Sequence, residues 1–167
     1  KRLIKKSDVG LKIFDKVDRT DIRRVFLELL NYKPENYCLS DFQAKASRRI
    51  IESFVSIDSN SSEKKVRSTG TLISAGTGSG KTFAFYFPAL ACIATKIISE
   101  SHKNWLQCLS IYPRTELLKN QLVEVFRESR GLDKYLKSHH SRKIIVGALY
   151  GDTPKNWSSL IKPYEDK

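Results

Sequence analysis

The chain has 167 residues, with 30 lysines and arginines against 18 acidic residues, which gives a formal net charge of +12. This length accommodates one domain with a hydrophobic core, and the charge favours a polyanionic partner, nucleic acid first, over none. The sequence has no run of 18 apolar residues and no signal-peptide layout, so we expect a cytoplasmic protein without a membrane partner.

The N-terminal part of the chain contains one strand pattern and two amphipathic helix patterns. Apolar residues alternate within residues 1–19 and predict a short strand, at Val9, Leu11, Ile13 and Val17. A helix capped by Thr20 is predicted over residues 21–31, and a second helix over residues 41–56. The polar stretch over residues 57–69 predicts a solvated insert before the next element.

The second of these helices begins with a capping box. Ser40 and Gln43 fit the pattern S-x-x-Q, in which each side chain accepts a hydrogen bond from a backbone N–H group at the helix start. Gln43 therefore has a purely local interpretation, whatever other role it has.

A glycine-rich loop separates a short apolar run, residues 71–74, from a long apolar helix pattern, residues 81–99, which contains Pro88. The loop consists of Ala75, Gly76, Thr77, Gly78, Ser79 and Gly80, and is followed by Lys81 and Thr82. Strand, glycine-rich loop and helix are typical of a phosphate-binding P-loop, also called Walker A, here in the relaxed form with alanine at the first position. A glycine-rich turn that happens to precede a lysine is the alternative.

The chemistry of such a loop predicts a nucleotide cofactor. Glycines let backbone N–H groups turn inward toward phosphate oxygens, and the helix start adds unpaired N–H donors and partial positive charge. We therefore predict ATP with Mg²⁺, bound by residues 76–82, in which Lys81 holds the β- and γ-phosphates and Thr82 coordinates the metal.

Strand and helix patterns alternate downstream of the loop. Apolar strands are predicted over residues 106–112 and 143–150, with a helix over residues 115–129 and a polar connection over residues 130–141 between them. Together with the strand before the loop, this alternation implies an α/β fold with a parallel sheet flanked by helices. The nucleotide then lies at the carboxyl ends of the strands.

Four segments resemble motifs of superfamily 2 helicases of the DEAD/DEAH-box type. Residues 78–90 resemble motif I, including the proline inside the helix, and residues 39–43 resemble the Q motif. Residues 111–117, followed by Gln121, resemble motif Ia. Residues 150–154 resemble a Gly-Asp-Thr-Pro element of a subgroup that includes RecQ-like repair helicases and helicase subunits of bacterial defence systems.

The resemblance implies an adenine-binding role for Gln43. A side-chain amide can pair with both adenine N6 and N7, and the family also stacks an aromatic ring on the base. Three upstream residues are candidates for that ring, namely Phe26, Tyr32 and Tyr37, and the sequence does not distinguish them. Helix capping by Gln43 is the alternative.

The resemblance also implies a nucleic-acid interface. Its residues would bind the phosphates of a single strand and are Pro113, Arg114, Thr115, Asp152 and Thr153. The order Pro-Arg-Thr-Glu differs from the commoner Pro-Thr-Arg-Glu of the family, so an ordinary helix start is the alternative for residues 113–115. A plain turn is the alternative for residues 152–153.

The resemblance covers residues 39–154. It implies that residues 39–167 form part of a RecA-like lobe, preceded by an adaptor segment over residues 1–38. A helicase motor also needs an acidic pair after an apolar strand and a second RecA-like lobe with an arginine finger, and this sequence contains neither. We therefore expect this chain to be the ATP-binding part of a larger helicase or translocase that acts on DNA, and to be inactive alone. Its expected partners are single-stranded DNA and the rest of the motor. A P-loop ATPase or switch that does not act on nucleic acid is the competing function.

The remaining reactive residues suggest no further site. Cys38, Cys92 and Cys108 match no metal-ligand spacing, and the apolar stretches around Cys92 and Cys108 predict buried, reduced thiols. The His139–His140 pair lies in a basic stretch without nearby acids or thiols, so we do not expect it to bind a metal ion.

Overall fold

Helices dominate the computed structural model, which describes residues 3–15, 17–59, 70–74, 76, 80–100 and 106–151. Two short strands, β1 (Leu3–Lys5) and β2 (Cys38–Ser40), pair in antiparallel fashion, with Ile4 opposite Leu39. The helices are α1 (Val9–Ile13), α2 (Thr20–Asn31), α3 (Asp41–Ser59), α4 (Lys81–Ser99), α5 (Thr115–Gly131) and α6 (Asp133–Ser138).

Helix α4 is the centre of the core and packs against both α2 and α3. Phe87 of α4 is fully buried and meets Phe26 of α2 edge to face, with ring centroids 6.0 Å apart. Burial of such a ring stabilises the fold by about 1.5–3 kcal/mol. The same core takes residues from both sides of position 38, so the adaptor segment and the lobe share one core. The division at that position stays a prediction.

Helix α4 is also long and apolar enough, by length and composition, to cross a membrane. More than half of it is buried inside the protein, and it begins directly after the glycine-rich loop. A buried core helix passes the same test of length and composition, and the contacts of α4 with α2 and α3 are those of a core helix.

The strand predicted from the alternation of apolar residues at the N-terminus is wrong. Residues 9–13 form helix α1 instead, in which Val9 and Ile13 are buried while Leu11 is exposed. On a strand the three side chains would share one face, whereas on a helix only residues three or four positions apart do. Val9 and Ile13 are four positions apart, which places both on the buried face of a helix.

The longer predicted helices are confirmed with small changes at their ends. Helix α4 has the predicted bounds, α3 continues to Ser59 and α5 continues to Gly131. Helix α2 starts at Thr20, so this threonine is the first helical residue and not the cap. Most of the predicted insert, residues 60–69, lies outside the described residues.

The predicted polar connection over residues 130–141 contains helix α6. Leu132 and Leu136 are fully buried in the main core, and their spacing of four places them on one helical face. Composition predicted a loop because most residues here are polar. The burial of two leucines stabilises the helix all the same.

The predicted parallel sheet does not form within the described residues, whose β-structure is the pair β1–β2. Residues 106–112 and 142–150 have no strand ladder there; instead, both line one cavity of about 820 Å³ beside α4 and α5. Strands pair only when their backbones lie about 4.8 Å apart over several residues, and the described parts of these segments show no such pairing. The carbonyl oxygen of Ile144 accepts a hydrogen bond from the side chain of Arg130 instead.

The cysteines show the consequence of this open arrangement. Cys92 lies in α4 and is buried, as predicted, but Cys108 lies in the unpaired segment 106–112 and is exposed. The prediction for Cys108 is therefore wrong, because it assumed that neighbouring strands and helices would cover both faces of this segment.

Candidate functional site

The glycine-rich loop ends in a conformation that glycine adopts more readily than any other residue. Gly80 has φ 76° and ψ 34°, which is left-handed, and it is the N-cap of α4. Among the described residues, no side chain makes a capping hydrogen bond at this helix start. Lys81 and Thr82 are the first two helical residues. Ala75, Thr77, Gly78 and Ser79 lie outside the described residues.

The side chain of Lys81 folds back over the loop. Its Nζ donates a hydrogen bond to the carbonyl oxygen of Gly76 over 2.8 Å. An ammonium group therefore lies beside the loop backbone and close to the start of α4, where the helix dipole adds partial positive charge. Both features favour an anionic ligand at this end of the helix.

Gln43 joins the start of α3 to the end of the glycine-rich loop. Its Oε1 accepts hydrogen bonds from the backbone N–H (2.9 Å) and hydroxyl (3.2 Å) of Ser40, whose Oγ accepts one from the Gln43 N–H over 3.2 Å. This confirms the capping box. The Nε2 of Gln43 also donates to the carbonyl oxygen of Gly80 over 3.1 Å. Local capping and contact with the loop therefore occur together, while the adenine-binding role stays a prediction.

The three aromatic candidates for stacking on a base differ sharply in burial. Phe26 is fully buried in the core, so neither of its faces is open to a ligand. Tyr32 is exposed at the C-terminal end of α2. Tyr37 is half-buried and lies edge-on to Phe83 of α4, with ring centroids 6.2 Å apart. Tyr37 is thus the candidate that contacts the first turn of α4 while keeping part of its surface exposed.

The hydroxyl group of Tyr37 stays neutral at physiological pH. Burial, and secondarily the nearby Glu128 carboxylate, raise the pKa of Tyr37 to about 12.

A cavity of about 490 Å³ lies against the end of the loop and is within the size range of ligand pockets. Its wall comes from the start of α4 and from the facing side of α5, and consists of Gly80, Thr82, Phe83, Asn120, Gln121, Val123 and Glu124. The Oε1 atom of Gln121 is buried without a hydrogen-bond partner among the described residues. The cavity therefore has the room for a small ligand. The larger cavity near residues 106–112 contains no residue of the loop.

The predicted nucleic-acid residues that the structure describes lie at the start of α5. Pro113, Arg114 and Thr115 are all exposed. Arg114 is the N-cap of α5 with an extended backbone and makes no side-chain capping bond, and Thr115 is the first helical residue. An uncapped helix start beside an exposed arginine suits a phosphate group. Asp152 and Thr153 lie outside the described residues.

A hydroxyl pair that the sequence analysis missed links α4 to the segment before α5. The side chains of Tyr86 and Tyr112 are hydrogen-bonded to each other. Burial, and secondarily the bond to Tyr112, raise the pKa of Tyr86 well above its usual range. A signal was present in the sequence, because a tyrosine in a buried apolar helix needs a partner for its hydroxyl group.

A buried ion pair, also missed, links the N-terminal part of the chain to α5. Lys33 lies after α2 and pairs with Glu128 of α5, and the side chains are only 13% and 3% exposed. The Lys33 ammonium also lies over the Phe83 ring, 4.7 Å from its centroid. The two residues are 95 positions apart, and nothing in their local sequence pattern signals the contact.

Comparison with known proteins gives one result that bears on identity. The family model described as DEAD/DEAH box helicase matches residues 41–162, which is well over half of the chain. No curated protein and no solved structure matches the chain. The matched range includes the glycine-rich loop, α4 and the start of α5, where the candidate nucleotide and nucleic-acid residues lie. The chain therefore belongs to the DEAD/DEAH box helicase family.

Proposed function

We propose that this chain is the ATP-binding part of a larger ATP-dependent helicase or translocase that moves along single-stranded DNA. Membership of the family supports ATP-dependent, helicase-related function on nucleic acid. DNA as the substrate rests on the resemblance of residues 150–154 to the element of RecQ-like repair and defence helicases. A complete motor of this family is expected to need two further parts that this sequence lacks. They are the acidic pair that binds Mg²⁺ and a second RecA-like lobe.

The observation that carries the proposal is the hydrogen bond from Gln43 to the carbonyl oxygen of Gly80. It joins the segments that resemble the Q motif and motif I, 37 positions apart, at the start of α4. A chance resemblance in two unrelated stretches of sequence would give no reason for such a contact.

The residues at this place fit MgATP. Gly80 is the left-handed N-cap of α4, Lys81 places a cation beside the loop backbone at Gly76, and Thr82 lines the adjoining cavity. We assign phosphate binding to residues 76–82, the metal to Thr82 and the base to Gln43, with Tyr37 as the stacking ring. Bound MgATP would supply a γ-phosphoryl group whose transfer to water releases free energy for movement. The role of this chain is to bind and orient that group.

The start of α5 is the proposed contact for the single strand. Pro113, Arg114 and Thr115, with Asp152 and Thr153, would bind backbone phosphates and leave the bases unread. The net charge of +12 supports a polyanionic partner. A cytoplasmic location and the lack of a membrane partner also stay predictions.

The test is the ATPase activity of the full-length protein with Lys81→Ala. We expect turnover to fall by about 100-fold or more, because the preorganised charge on the phosphates is lost. Lys96→Ala, which removes a lysine near the other end of α4, is the matched control and should retain activity. Normal turnover in Lys81→Ala would disprove the P-loop assignment.

The same assay separates the helicase from a switch that ignores nucleic acid. Addition of single-stranded DNA should stimulate the wild-type ATPase, and DNA should do so better than RNA of the same sequence. ATPase activity that is indifferent to both would favour the switch.

A further inference from the structure

The starting point is the hydroxyl pair between Tyr86 and Tyr112. Tyr86 is buried in α4, whereas Tyr112 is half-buried in the segment that leads into α5. The contact is therefore a polar link at the side of an apolar helix.

The position of the pair relates the two candidate sites to each other. Tyr86 lies five residues after Lys81, which is about 7.5 Å along the helix axis. Tyr112 precedes Arg114 by two residues, so their Cα atoms are at most about 7 Å apart. The two hydroxyl groups thus form a short bridge from the nucleotide end of α4 to the phosphate-binding end of α5.

The surroundings of this bridge differ from those of an ordinary surface contact. Residues 106–112 have no strand ladder among the described residues, and the segment and α4 both line the cavity of about 820 Å³. Tyr86 and Tyr112 both line that cavity. A buried hydroxyl is unfavourable without a partner, so the pair holds together and fixes the segment at this point.

We propose that Tyr86 is a positioning residue that couples nucleic-acid binding to ATP turnover. Through the hydroxyl of Tyr112, Tyr86 holds residues 113–115 in a fixed position relative to α4. Single-stranded DNA bound at Arg114 therefore affects the position of α4, the helix that begins with Lys81. This inference rests on the proposed function. It assigns a role to two residues that belong to neither the candidate nucleotide site nor the candidate nucleic-acid site.

The test is Tyr86→Phe in the full-length protein, with ATPase measured against the concentration of single-stranded DNA. The ring remains, so packing is preserved and only the hydroxyl bridge is lost. We expect basal ATPase and the KM for ATP to stay within about twofold of wild type. The DNA concentration for half-maximal stimulation should rise at least about fivefold, the lower end of typical coupling between sites.

Two further variants make the result specific. Tyr112→Phe should have the same effect, and the double variant should be no worse than either single one, because all three lack the same bond. Tyr135→Phe removes a partly buried hydroxyl from α6, away from both sites, and should behave as wild type.

The possible failures are distinguishable. Unchanged DNA stimulation in Tyr86→Phe and Tyr112→Phe overturns the inference and leaves the proposed function intact. An equal fall in basal and stimulated ATPase with a lower Tm also overturns it, since the pair would then be structural. A wild-type ATPase that ignores DNA overturns both the inference and the proposed function.

Discussion

Gly80 combines a left-handed backbone with close contact to Gln43. A Cβ atom built there would lie 2.5 Å from Nε2 of Gln43, and φ is 76°. Gly80→Ala should therefore destabilise the protein by about 1–2 kcal/mol through backbone strain, and displace the Gln43 amide from the loop. We expect ATP affinity to fall about tenfold, measured by titration with a fluorescent nucleotide.

Gly70→Ala is the control for this substitution. A Cβ atom at Gly70 meets nothing within 4 Å, so its effect on affinity and on the free energy of unfolding should be small. If Gly80→Ala binds nucleotide as well as wild type, the left-handed helix start is not part of the binding site.

Individual site residues were predictable where their role is local. Ser40 and Gln43 form the capping box that their spacing indicates, because both partners lie within one helical turn. The choice among Phe26, Tyr32 and Tyr37 was not predictable, because burial depends on which elements pack together. Sequence spacing says nothing about that packing until the contacts of α2 and α4 are known.

Lys33 and Glu128 tie three elements together, since the ion pair lies between the end of α2, the start of α4 and the end of α5. Lys33→Met should destabilise the protein by about 3 kcal/mol, the lower end of the cost of breaking a buried ion pair, because the Glu128 carboxylate keeps the more distant Arg127 guanidinium, 3.8 Å away, as a counter-charge. The double variant Lys33→Met, Glu128→Leu should regain most of that loss, as an apolar pair needs no counter-charge. Urea unfolding followed by circular dichroism measures both.

An exposed ion pair supplies the control. Lys45 and Asp41 pair on the surface of α3, with side chains 77% and 41% exposed, so Lys45→Ala should change stability by less than about 1 kcal/mol. A double variant as unstable as Lys33→Met would show that the ion pair itself, and not the burial of an unpaired charge, holds these elements together.

The elements differ in how far their own sequences determine them. Helices α2, α3 and α5 were predicted because each repeats an apolar face over more than two turns, and α4 was predicted because it is apolar nearly all round. Helices α1 and α6 were missed because each is stabilised by a single pair of buried apolar residues, such as Val9 with Ile13. Over so few residues, alternation predicted a strand for α1 and polar composition predicted a loop for α6. A short element is decided by the core against which it packs.

At the scale of the whole molecule, pairing between distant segments was the least predictable feature. Residues 106–112 and 143–150 were predicted as strands from β-branched and apolar composition, but a strand also needs neighbouring strands to pair with. In the described part of the chain these segments border a cavity instead. The helical core takes little from them: α4 packs mainly against α2 and α3, while Ile144 is buried in that core and Val146 packs against it.

The net charge of +12 would attract any polyanion, so affinity for DNA alone says little about where it binds. The dependence of affinity on salt does, because its slope counts the phosphates that protein cations contact. Arg114→Ala should lower that slope by about one and weaken single-strand binding uniformly across sequences. Arg49→Ala, which removes the same charge from an exposed position on α3, should leave the slope unchanged. Fluorescence anisotropy over a range of salt concentrations gives both slopes. Equal slopes for wild type and Arg114→Ala would mean that the start of α5 is an ordinary helix start, and that the strand binds elsewhere on this basic surface.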